Sequence, residues 1–339
     1  MLRALEPNRL RTAITAKPLS QRIVNIAMVS SVDRQGETRL RPWIATLSQL
    51  GWRDTVSVQN MIYVAAVNGD IAAVLDLSDA LLRRRQMIDQ MIPVLSVAET
   101  DPQARAAFVD RLIARPAWRN TYLTSTGHLQ TAEQLRARYQ ILRELRRRGS
   151  PPSWSEAAQN IRALEYAGLY DLGFALWRSA RPGVSRPLND THFLQASESF
   201  RLGEDPVPYQ WQIPVGAGFS ADAVSENGRS TLEINWNGRG VPMFAQQRTS
   251  AEPGRYVLEV NVSPTDVADL RAINFRFVCT RTNTAIAFQR DMREPTRFVT
   301  EQALPCAYPV LQIAGSIQAG ATPHQLSLQS VTLRKAVPA

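Results

Sequence analysis

Lysine is nearly missing from this 339-residue chain: Lys17 and Lys335 are the only two, and every other basic residue is an arginine. So one-sided a choice is read most simply as GC-rich coding, and the arginines alone do not argue for phosphate contacts. Histidine is scarce too. His128, His192 and His324 are scattered, with no His-x-x-x-His spacing to put two metal ligands on one helix face. The sequence has no G-x-S-x-G elbow, no P-loop and no dinucleotide fingerprint, so no motif-borne enzyme class is expected. No stretch approaches the roughly 20 apolar residues of a spanning helix, so no membrane span is expected. The segment Met1 to Leu10 has neither the apolar core nor the small-residue cleavage site of a signal peptide.

What is present changes character near Pro182 to Pro187. Before that point apolar residues recur at three- and four-residue spacing, as in Ala132 to Arg148. After it, Leu232 to Trp236, Tyr256 to Val262 and Ile273 to Cys279 alternate strictly. The pattern predicts an all-α domain over 1–182, a linker over 183–187 and an all-β domain over 188–336. Each is long enough to bury its own core. The net charge of +9 divides at the same place: residues 1–183 carry 25 Lys and Arg against 16 Asp and Glu, and residues 184–339 carry 14 against 14. Two basic clusters, Arg83 to Arg85 and Arg146 to Arg148, fall in the last turn of predicted helices, where cations complement the helix dipole. The alternative reading of these clusters is a site for an anionic partner.

In the helical half, Ala65 to Asp70 ends one helix on Gly69 and begins another that runs to Leu82, with Gly36 standing 33 residues earlier in a similar setting. Ala163 to Gly168 passes in the same way into Leu169 to Trp177. Residues 18–85 and 153–180 resemble degenerate tetratricopeptide repeats. That resemblance implies an α-solenoid of helical hairpins whose concave face binds protein partners. The segments Asp101 to Arg115 and Thr131 to Gly149 read as helical without the repeat's small-residue signposts.

In the β half, seven or eight strand-like runs are separated by turns such as Asn227-Gly228, Asn237-Gly238 and Pro253-Gly254, which predicts an antiparallel β-sandwich. The order of features resembles the galactose-binding-like jelly rolls found as carbohydrate-binding domains. It runs from early Phe200 and Trp211 through Leu232 to Trp236, Gln246, Tyr256 and Cys279 to the closing strand Gln325 to Leu333. Such a module implies a glycan ligand. Alternation puts Leu232, Ile234, Trp236, Tyr256, Leu258, Val260, Val262, Ile273, Phe275, Phe277 and Cys279 in the core. It leaves Glu233, Asn235, Glu259, Asn261, Asn274 and Arg276 on polar faces, which are either plain solvated surface or a glycan-binding groove. Tyr209, Trp211, Phe288 and Tyr308 are candidates for a stacking platform. Asp190 and Glu198 are candidate ligands for a structural Ca2+, and no other cofactor is expected. Glu204-Asp205 reads as a turn, not a catalytic carboxylate pair.

Both cysteines of the chain, Cys279 and Cys306, lie in the β half, as a disulfide staple would require. Such a bond places the protein outside the reducing cytosol, in the periplasm or beyond, with a signal or anchor upstream of Met1; the alternative is cytoplasmic. The resulting expectation is a non-catalytic scaffold, with repeats for protein partners and a sandwich for glycan. Resemblance to bacterial proteins that pair such domains implies a role in polysaccharide production or surface attachment. The alternatives are a polysaccharide lyase or hydrolase, or its accessory, using the sandwich face, and a cytosolic adaptor whose basic solenoid binds acidic protein or nucleic acid.

Overall fold

The computed structural model describes Thr12, Ala16 and residues 54–181, 187–203, 205–226, 228–316 and 322–336. The expected turn at Gly36, the part of the expected repeats over 18–53, residues 182–186 with all of the expected linker but Pro187, Glu204 and Asn227 lie outside the described residues. Helices occupy 55–180, and an antiparallel sheet of nine strands follows over 219–335. Packing divides the chain into two compact units, Met1–Glu156 and Ala157–Ala339.

The first unit contains α1 (Thr55–Val67), α2 (Ile71–Arg83), α3 (Ile88–Ala98), α4 (Pro102–Ile113), α5 (Arg119–Thr124) and α6 (Ala132–Arg147). Four of them, α1, α2, α4 and α6, start on short polar side chains. Asp54, Asp70 and Asp101 each accept a hydrogen bond from a first-turn N–H, and Thr131 with Gln134 closes a capping box. Gly69 ends α1 at φ +68°, a conformation costly for other residues, and lets α2 fold back at once. Helices α2, α4 and α6 pack in succession. Links between residues some 35–39 apart tie them together, including Arg111 to Asp76 at 2.5 Å and Trp118 Nε1 to Asp79 at 2.7 Å. At the centre Arg138 and Glu99 form a wholly buried ion pair at 2.6 Å. The Arg138 guanidinium also donates to the Tyr122 carbonyl and lies 4.5 Å from the Tyr122 ring centroid.

The second unit begins inside α7 (Trp154–Tyr166) and continues with α8 (Tyr170–Ala180) and α9 (Leu194–Leu202). Its strands are β1 (Phe219–Glu226), β2 (Arg229–Trp236), β3 (Met243–Arg248), β4 (Tyr256–Val262), β5 (Ile273–Cys279), β6 (Thr284–Arg290), β7 (Arg297–Thr300), β8 (Val310–Gly315) and β9 (His324–Lys335). The order is β1-β2-β9-β4-β7-β6-β5-β8-β3, antiparallel throughout. Folded at the β6–β7 pair, this gives β2-β9-β4-β7 over β3-β8-β5-β6, the strand order of a jelly roll, with β1 added at one edge. The ends of the sheet approach, and Phe219 of β1 meets Phe244 of β3 edge to face at 5.5 Å. Every residue assigned to the core by alternation is buried in one cluster between the sheets.

The packing boundary comes earlier than the change of secondary structure, because α7 and α8 share their buried contacts with the sheet. Tyr209 Oη donates to the Tyr170 carbonyl at 2.6 Å, and Phe174, Trp177, Tyr209 and Tyr308 form one aromatic cluster. Periodicity marks where helix gives way to strand, not which elements share a core. The sequence pattern after residue 187 predicts strands alone, yet a helix forms there. Helix α9 forms because Asp190, held at φ +53°, caps it by accepting the Ala196 N–H at 3.0 Å.

Candidate functional site on the jelly-roll faces

The six candidate site residues divide between opposite faces of the unit. Glu233 and Asn235 of β2 and Glu259 and Asn261 of β4 all lie on the outer face of the β1-β2-β9-β4-β7 sheet, with the hydroxyls of Ser327, Ser330 and Thr332 on β9 between them. Asn274 and Arg276 belong to β5 in the other sheet, separated from β4 in strand order by β7 and β6. One groove therefore does not gather all six. On the first face Glu259 is paired with Arg334, and Glu233 stands opposite Asp222, a like-charged cross-strand pair that disfavours the folded face slightly. Glu233, Asn235 and Asn261 are exposed.

The second face is organised differently. Register aligns Gln246 of β3 with Gln312 of β8, Gln312 with Arg276 of β5, and Arg276 with Ala287 of β6; an isolated bridge adds Gln212 beside Gln246. The side chains in this row bond head to tail. Arg276 Nε donates to Gln312 Oε1 at 2.8 Å, Gln312 Nε2 to Gln246 Oε1 at 3.2 Å, and Gln246 Nε2 to Gln212 Oε1 at 3.0 Å. Four half-buried groups thus cross three strand spacings, about 14 Å, with their dipoles aligned. Gln246 and Gln312 each retain one N–H and one oxygen lone pair, Gln212 retains both N–H groups and one lone pair, and Arg276 retains both terminal nitrogens, so the row offers donors and acceptors along a fixed line. Alternation marks Arg276 and Asn274 as outward-facing, but it does not reveal Gln312, because Val310 to Ala314 reads as an apolar core strand, or Gln212, which lies outside the nine strands; a bulge between Met243 and Ala245 blurs the parity of Gln246.

One end of this face is covered. Arg248, on the same side of β3 as Gln246, is buried in an ion pair with Glu165 of α7, its guanidinium carbon 4.0 Å from the Tyr170 ring centroid of α8. Burial pushes the Glu165 carboxyl above its ordinary pKa, with Arg248 pulling the other way, and burial likewise raises Tyr209. Next to this lid Tyr170, Asp171, Thr280, Arg281, Cys306 and Tyr308 line a cavity of about 350 Å³. Of the proposed stacking residues, Tyr308 lines this cavity and Phe288, itself largely buried, lines the larger one beside β6; Tyr209 and Trp211 are core side chains. The Cys279–Cys306 disulfide is formed and joins the ends of the segments that supply Thr280 and Tyr308.

For the remaining candidates, Asp190 is occupied with the α9 N–H groups and burial raises its pKa, while Glu198 is exposed on α9. Among the described residues no group of three or more His, Cys, Asp or Glu side chains is arranged to hold a metal ion. His324 Nδ1 lies 2.8 Å from Asp269 and its Nε2 lies 3.5 Å from the Thr322 hydroxyl, beyond a good hydrogen bond. In the basic clusters Arg83 pairs with Asp79, Arg147 with Glu144 and Arg148 with Asp110, and Arg84 Nε donates to the Ala80 carbonyl. Among the described residues no helix is long and apolar enough to cross a membrane. Compared with protein-family models, with curated proteins and with solved structures, the chain matches none.

Proposed function

We propose that this chain is a non-catalytic binding protein that holds an extended glycan on the outer face of the β3-β8-β5-β6 sheet, while its helical unit engages a protein partner. The observation that carries this reading is the hydrogen-bonded row Gln212, Gln246, Gln312 and Arg276. A polyol needs closely spaced donors and acceptors, and a row already fixed by its own hydrogen bonds loses little entropy when a ligand docks. The opposite face, with Asn235 and Asn261, has the same chemistry but no comparable bonding along it. The jelly-roll strand order supports the same reading by resemblance to carbohydrate-binding modules, an argument from fold alone.

The disulfide supports a location outside the reducing cytosol. The proposed role in bacterial polysaccharide production or surface attachment rests on the resemblance to bacterial proteins that pair such domains. A screen of oligosaccharides against the full chain, with product analysis of each binder, tests the proposal. The expected result is saturable binding with no change in ligand length. Cleavage that is lost on replacing His324 or Asp269 would instead assign the unit to an enzyme.

A further inference from the structure

Beside the amide row lies a larger cavity, of about 770 Å³, whose wall includes Asn274, Ala287, Gln289, Arg271 and Arg290. Ala287 is also the register partner of Arg276, so the cavity continues the row toward β6. The wall carries two arginines, Arg271 and Arg290, and two carboxylates, Asp291 and Glu301, but the arginines are not paired with these carboxylates. Arg290 spends its donors on backbone, Nε on the Pro295 carbonyl at 2.6 Å and a terminal nitrogen on Val267 at 3.3 Å. Burial, and then repulsion by Arg271, hold its pKa below the ordinary arginine value. Of the two carboxylates in the wall, Asp291 takes the Arg293 N–H at 2.9 Å and Arg297 at 3.5 Å, and Glu301 accepts from the neutral amide of Gln289, another wall residue, at 3.2 Å. Among the described residues no ion pair reaches Arg271, Arg276 or Arg290. Arg271 and Arg290 therefore face one cavity with no ion-pair partner, and a planar carboxylate of a ligand could pair with both.

We propose that the glycan is acidic, and that this cavity takes a uronate-type carboxylate of it between Arg271 and Arg290, with the sugar chain continuing past Arg276 along the amide row. The proposal rests on the glycan-binding reading above and adds the ligand's charge.

The test is calorimetric titration of the full chain with a uronate oligosaccharide, with the same oligosaccharide after reduction of its carboxyls to alcohols, and with acetate. Carboxyl reduction should weaken binding at least tenfold or so, as loss of a charge-assisted contact does. Arg271→Gln should weaken binding of the uronate form to a similar degree and flatten its salt dependence, while leaving the reduced form unchanged. Arg271 is exposed, so this variant should fold; Arg290→Lys, which keeps the charge but not the fork, supplies a second reading. Equal binding of both oligosaccharides, with no effect of Arg271→Gln, would overturn the acidic ligand and leave glycan binding standing. Binding of neither would overturn the glycan reading itself, and acetate binding as tightly as the oligosaccharide would reduce the cavity to a simple anion site.

Discussion

Removing the disulfide should cost the second unit a stability that its position in the chain sets. Cys279 and Cys306 are separated by 27 residues, and the enclosed segment carries β6 and β7. Closing a loop of that length in the unfolded chain is worth about 3.5 kcal/mol in the chain-entropy model. For a unit of this size, 1 kcal/mol moves the melting temperature by about 2 to 4 °C, so the loss should be roughly 7 to 14 °C. The double variant Cys279→Ala, Cys306→Ala suits the test because Cys279 is buried, where alanine adds no unsatisfied polar group. Thermal and urea melts of wild type with and without reductant, beside the double variant, should show the same loss in both comparisons. A shift below about 2 °C, or free alkylation of both thiols in unreduced protein, would refute the reasoning and remove the argument for an oxidising compartment.

Three further outcomes follow from the packing. Arg138→Met leaves Glu99 buried without its partner and should destabilise the helical unit by about 3 to 5 kcal/mol in urea melts, with Glu99→Gln in the same chain restoring much of it; a loss under about 1 kcal/mol would show that water reaches the pair. Glu165 has a folded-state pKa above its unfolded value near 4.5, so its protonated form adds stability that is present below that value and lost as the pH rises through the folded pKa. Melting temperatures of Glu165→Gln and wild type, compared from about pH 4 to about pH 7, should diverge over that window, and parallel curves would count against it. Gly315→Ala would bring a methyl within 2.8 Å of the Trp236 ring and should cost about 1 to 3 kcal/mol in a urea melt, whereas an unchanged midpoint would mean that the ring moves freely.

Much of the fold can be read directly from the sequence, for physical reasons. Period-2 runs such as Tyr256 to Val262 have one solution in a two-layer sheet, and Gly69 and Gly168 stop helices because their φ values are positive. Three features could not be read this way. The allegiance of α7 and α8 depends on Glu165 meeting Arg248, residues far apart in sequence. Helix α9 depends on a cap residue six positions before the N–H it receives. The amide row depends on strand pairing: Gln212, Gln246 and Gln312 belong to separate segments, and only the pairing of β3 with β8 and the bridge from Gln212 to Gln246 make them neighbours. Alternation identifies which side chains face outward, but it cannot tell that Glu259 and Arg276 face outward from different sheets.

The proposed ligand lies on the amide-row face and not on the opposite one. Titration of one oligosaccharide binder against full-length Gln312→Ala and Asn235→Ala tests this placement most directly, since the two truncations sit on different sheets and Asn235 is exposed. Gln312→Ala breaks the row at its middle, removing the partners of both Arg276 and Gln246, and should weaken binding about tenfold or more. Asn235→Ala should leave affinity unchanged, with both variants melting close to wild type. Weaker binding by Asn235→Ala with no effect of Gln312→Ala would contradict the claim and move the site to the β2-β9-β4 face.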